Sequence, residues 1–116
     1  MKDKLDQIFD LQKRLNVRAG VDVTTMTFTE RQDWMLKFAL ATYQELAELT
    51  ETLPYRWWHK RKSFNQSAAK TEVIDLLHLV ISLCELTGMD ADTTSELYLR
   101  KHRLNLSRLR RRHRSR

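Results

Sequence analysis

Apolar residues recur along this chain at intervals of three and four, the period of an α-helix, and nowhere sustain the alternation of a strand. Over residues 3 to about 17, Leu5, Ile8, Phe9, Leu11 and Leu15 form one amphipathic stripe, with Gln12 and Asn16 on its polar flank. Residues 19–28 contain Gly20 and several β-branched residues without alternation and read as a loop. Thr29 with Gln32 three residues later predicts a capping box, opening a second helix that runs to about residue 52, ahead of Pro54. Its inner stripe is Trp34, Phe38 and Ala41. Continued by four and then three residues, that stripe lands on Glu45 and Glu48, where the pattern asks for apolar side chains.

An aromatic and basic connection over residues 55–66 holds Trp57, Trp58, Lys60, Arg61 and Lys62 and leads to a third helix over about 67–86, stopped near Gly88. This helix is apolar almost all round, which predicts a central place in the bundle and at least partial burial of its acids Glu72 and Asp75. Asp90 or Asp92 caps a fourth helix from about residue 93, with Leu97, Leu104 and Leu109 expected to face inward. A polar stripe of Tyr98, Lys101, Asn105 and Arg108 follows at steps of three, four and three. The expected fold is all-α, a compact bundle of about four helices.

Composition narrows this further. Two glycines and one proline in 116 residues leave too few turn formers for a sandwich or barrel. A chain this short buries only about two-thirds of its unfolded surface by itself, so help from a partner subunit is expected. The single cysteine, Cys84, excludes an internal disulfide and reads as a buried small side chain in a reducing compartment. The N-terminus lacks the apolar core of a signal peptide, and acids interrupt the most apolar stretch before it could span a bilayer, so the expected location is cytoplasmic, without a membrane. The net charge of +6 resides in six arginines between Arg108 and Arg116, so residues 1–107 are assigned to the folded domain and 108–116 to a basic tail. Through that tail and the Trp57–Arg61 region, nucleic-acid binding or a regulatory role stands as an alternative function.

The acids carry the chemistry. Glu45-x-x-Glu48 and Glu72-x-x-Asp75 each set two carboxylates one turn apart, and antiparallel packing of the second and third helices would bring all four together. Oxygen-only ligands point to Mg2+, with Mn2+ as a substitute, completed by water and phosphate oxygens. A single Glu-x-x-Glu is common on exposed helices, but two pairs on successive helices, one inside a nearly apolar helix, favour a metal site. His78 reads as a supporting residue rather than a ligand.

On these acids, with a tryptophan after the first pair and Asp75-Leu76-Leu77-His78, the chain resembles the all-α nucleoside triphosphate pyrophosphatases, which include MazG-like enzymes. It resembles their dimeric dUTPase branch most. Residues 9–16 resemble that branch's first helix, and the resemblance implies that Gln12 and Asn16, with Trp57 and Trp58, recognise the base. Residues 98–108 resemble its closing motif, which implies that Tyr98, Lys101, Asn105 and Arg108 contact phosphate or sugar; apart from the resemblance, Lys60 and Lys62 of the connection are further cations available to the phosphates. His102 and Leu109 depart from that motif's usual asparagine and glutamine. The implied activity is magnesium-dependent hydrolysis of dUTP to dUMP and pyrophosphate, cleansing the nucleotide pool and supplying a dTMP precursor. Glu48 is the candidate catalytic base, and a MazG-like action on another nucleoside triphosphate is the alternative within the superfamily.

Overall fold

The computed structural model describes residues 2–60 and 63–114. Arg61 and Lys62 of the basic connection, and the last two residues of the tail, lie outside the described residues. The protein is all-helical: α1 (Lys4–Arg18), α2 (Phe28–Glu51), α3 (Gln66–Leu86) and α4 (Ala91–Arg114), with one turn of 3-10 helix at Val23–Thr25 and no strand among the described residues. Helix α3 is central, with α2 along one side and α1 on another, while α4 meets α1.

Local chemistry sets the ends of these helices. Asp3 caps α1, and its side chain and that of Asp6 satisfy each other's backbone amides in a capping box. The box of α2 is Thr27 with Glu30, not Thr29 with Gln32, so the cap of α2 lies two residues earlier than the sequence pattern predicts. The carboxylate of Glu30 accepts the Thr27 amide, and a charged acceptor is favoured there over a neutral amide by the positive end of the helix dipole. Asn65 caps α3, and Asp90 rather than Asp92 caps α4, accepting from the Thr93 amide at 2.8 Å. Helices α1 and α3 both stop in a Schellman turn. Gly20 and Gly88 take the left-handed conformation, and Val21 and Met89 donate back to the carbonyls of Asn16 and Cys84. Those reversals tuck Val21 and Met89 inward, and a small core forms from Phe9, Ile81, Cys84 and Ala91, flanked by Leu5 and Met89.

The inward faces differ from the apolar stripes in two places. On α1 the buried residues are Phe9, Gln12 and Asn16, whereas Ile8, Leu11 and Leu15 are exposed, Leu11 at 62%. On α4 the expected inward residues Leu97, Leu104 and Leu109 are also exposed, because beyond the first turns of that helix only Ser107 is half-buried among the described residues. Val73, Ile74, Leu77 and Val80 of α3 join them in the open. Together with the exposed residues of α1 they leave a largely apolar groove between the two helices, lined by Ile8, Leu11, Ile74, Leu77 and Ile81 with Gln12 and His78. The exposed surface of the single chain is 9738 Å2, against about 6,700 Å2 for a folded monomer of this length. No helix among the described residues is long and apolar enough to cross a membrane. Helix α4 continues unbroken past residue 108 to Arg114, so the composition changes there but the backbone conformation does not.

Candidate active site

Three helical stripes meet at one cleft of about 580 Å3. Helix α1 contributes Gln12, Leu15 and Asn16, and the turn that ends it Ala19 and Val21; α2 contributes Phe38, Ala41 and Glu45; α3 contributes Asp75, His78 and Leu79. Within each helix they recur at i, i+3, i+4 or i+7, so each set lies on one face of its helix. The continuation of the α2 stripe onto Glu45 therefore has a structural meaning: the carboxylate ends the apolar wall begun by Phe38 and Ala41.

At that end Glu45, Glu72 and Asp75 converge, each offering an oxygen within 4.8 Å of the others. Glu45 and Glu72 are half-buried and Asp75 is exposed, so the expected burial of the α3 pair holds for its first member only. The Oε2 atoms of Glu45 and Glu72 are shut off from solvent and accept no hydrogen bond. Glu48 is exposed and stands outside this three-residue group, although its carboxylate is near enough to act on Glu45. Orphaned, converging carboxylate oxygens with no nitrogen or sulfur donor fit a hard divalent cation.

Without a cation, burial of the Glu45 carboxylate, reinforced by its neighbours Glu72 and Glu48, pushes its pKa from 4.5 up to about 7. The folded protein then holds this proton more tightly than the unfolded chain does. The group's destabilising contribution is complete above pH 7 and vanishes as pH falls below the ordinary carboxyl range. In EDTA, the melting temperature should rise as pH is lowered from about 8 to about 5, and Glu45→Gln should flatten that rise. A scan showing the same slope in both proteins would remove Glu45 as its source.

The opposite wall is a closed set of hydrogen bonds. Gln12 is 6% exposed and Asn16 8%, and the Gln12 Nε2 donates to Asn16 Oδ1 at 3.0 Å. Asn16 Nδ2 donates to Ser82 Oγ at 3.0 Å, Ser82 Oγ donates to the backbone carbonyl of His78 at 2.9 Å, and the His78 Nδ1 meets Gln12 Oε1. The sequence pattern picked out both amides and the stripe that holds Phe38 but not Ser82 or the partnership of His78. Two polar residues four apart on α1, facing a serine and a histidine four apart on α3, was the signal available.

Other sequence-derived candidates lie elsewhere. Trp57 and Trp58 pack edge to face, 4.6 Å between ring centres, but Trp57 is 86% exposed and neither lines the cleft. Lys60 lines a separate hollow with Tyr55, Arg56 and His59. That segment is anchored by Arg56, whose two terminal nitrogens bind the Glu51 carboxylate at 2.6 and 3.0 Å. Tyr98, Lys101, Asn105 and Arg108 are exposed on α4, and none lines the cleft of its own chain.

Neither a curated protein nor a solved structure matches the chain. The family model described as dUTPase does match, over residues 4–84. That span takes in α1, α2 and α3 as far as Cys84, and with them both amides and all four acids. A match over most of the chain, on the helices that build the cleft, places this protein in the all-α dUTPase family.

Proposed function

We propose that the protein hydrolyses dUTP to dUMP and pyrophosphate in a magnesium-dependent reaction, working as a homodimer. The observation that carries this reading is the cleft itself, with buried amides at one wall and converging carboxylates at the end of another. Gln12 and Asn16 are assigned to the uracil edge, since amides match its donor and acceptor groups, and the Phe38 ring supplies an apolar wall. Trp57 and Trp58, from the connection, are assigned a stacking role that requires the connection to move towards the nucleotide.

Glu45, Glu72 and Asp75, with Glu48 beside them, would hold Mg2+, or Mn2+ in its place. When bound there, the cation would neutralise phosphate charge and acidify the attacking water. Glu48, the one acid of the four outside the tight group, is assigned to orient that water and take its proton. The water oxygen bonds to the α-phosphorus as the bond to the bridging oxygen breaks, releasing dUMP and pyrophosphate. Lys101 and Arg108, with Tyr98, Asn105 and Lys60, are assigned to the phosphates and sugar. Since none of the α4 residues lines the cleft of its own chain, the dimer is the form in which they meet the nucleotide. A role in clearing dUTP and supplying dUMP in the cytoplasm follows from that chemistry.

Pyrophosphate release should be measured for each nucleoside triphosphate with magnesium and with EDTA. A preference for dUTP that EDTA abolishes is expected, with Gln12→Ala raising the KM for dUTP about tenfold through loss of a buried polar contact. Preference for another base would keep the carboxylate chemistry and discard the uracil assignment. Absence of metal-dependent turnover would discard both.

A further inference from the structure

We infer that Ser82, which does not line the cleft, determines which way the Gln12 and Asn16 amides face, and that this makes it a positioning residue for choosing uracil over cytosine. The inference rests on the proposed dUTP reading of the cleft.

The argument begins from the one member of the hydrogen-bonded ring that cannot change its role. A backbone carbonyl only accepts, so Ser82 must spend its single hydroxyl proton on the His78 carbonyl. Its oxygen is then left as an acceptor, which turns the Asn16 NH2 towards it and the Asn16 carbonyl oxygen towards Gln12. Gln12 must answer with its own NH2, leaving its Oε1 for His78, which is thereby held with a proton on Nδ1. Every polarity in the chain follows from Ser82. At 1% exposed, Ser82 has no water to take over either bond.

Polarity matters because an amide has almost the same shape when its oxygen and nitrogen are exchanged. Uracil presents an acceptor at O4 beside a donor at N3, while cytosine presents a donor at N4 beside an acceptor at N3. An amide pair free to flip can satisfy both bases, whereas a pair fixed in one sense satisfies one base and leaves buried groups unpaired against the other. Such unpaired groups are the strongest source of discrimination available to a polar pocket.

The test compares wild type with Ser82→Ala, with Ser82→Cys, which keeps nearly the same volume but bonds hydrogen poorly, and with Ser82→Thr, which restores the hydroxyl. The ratio of kcat/KM for dUTP to that for dCTP should fall about tenfold in the alanine and cysteine proteins, mostly through KM, and recover in the threonine protein. In the absence of nucleotide, the side-chain NH2 resonances of Gln12 and Asn16 should be sharp and distinct from free-amide positions in wild type, and should move to those positions, averaged over the two senses of the amide, in Ser82→Cys. Distinct resonances and an unchanged ratio in the cysteine protein would overturn the inference while leaving the dUTP assignment in place. A wild-type protein that does not turn over dUTP would overturn both, whatever the resonances show.

Discussion

Replacing Glu72 by glutamine, or Asp75 by asparagine, should lower kcat/KM for dUTP by more than the roughly 10–100-fold that loss of a supporting residue around a metal costs. The geometry leaves no spare ligand: three oxygens converge, and two of the carboxylates have an oxygen that solvent cannot reach. An amide at position 72 keeps the shape but surrenders the charge that would draw a divalent cation into a half-buried place. Glu48→Gln should behave differently. Outside the tight group, it should weaken magnesium binding less than Glu72→Gln does while lowering kcat about 10^2–10^4-fold, the range for losing a positioned base. Isothermal titration with Mg2+ alongside steady-state kinetics separates the two. If Glu72→Gln retains wild-type turnover and magnesium affinity, the converging acids are not the metal site.

The second large effect concerns assembly. Leu77→Asp should convert a dimer to a monomer in sedimentation velocity, and turnover of dUTP should fall with it. Leu77 lies in the apolar groove between α1 and α3, and an aspartate there would be buried without a partner at a dimer interface. The single chain exposes about 3,000 Å2 more than a folded monomer of its length should, or about 6,000 Å2 for two chains, which is more than enough to supply the roughly 2,000–5,000 Å2 that permanent homodimers bury in total. Its radius of gyration of 18.0 Å exceeds the about 13 Å typical for 116 residues. A wild-type protein that sediments as a monomer would refute the dimer; a Leu77→Asp protein that remains dimeric would move the interface to another face.

The two helices that carry the acids were legible because carboxylates interrupt an apolar stripe. Continuing Trp34, Phe38 and Ala41 onto Glu45 located the end of the cleft without any knowledge of the fold. The face of α1 was not legible in the same way. Counting apolar residues turned Ile8, Leu11 and Leu15 inward and Gln12 and Asn16 towards the flank. In the structure both amides are buried, because Ser82 and His78 supply the hydrogen bonds that offset their desolvation. Periodicity ranks residues by hydrophobicity and cannot see a partner on another helix. Leu97, Leu104 and Leu109 were misplaced for a related reason: an apolar stripe says that something covers it, not whether the cover belongs to the same chain. The start of α2 was missed by a choice between two threonines, each three residues ahead of a suitable acceptor.

Both glycines of this protein serve as stops, one ending α1 and one ending α3. Helix α2 has none: Thr52 at its end keeps a right-handed helical conformation, and the Glu51–Arg56 clamp holds the outgoing chain instead. The connection that follows is thus the one junction whose length is not dictated by a residue without a side chain. Insertions or deletions there would shift where Trp57 and Trp58 can reach while leaving untouched the glycine turns that end α1 and α3, so a change of nucleotide contact at this junction costs little of the rest of the fold.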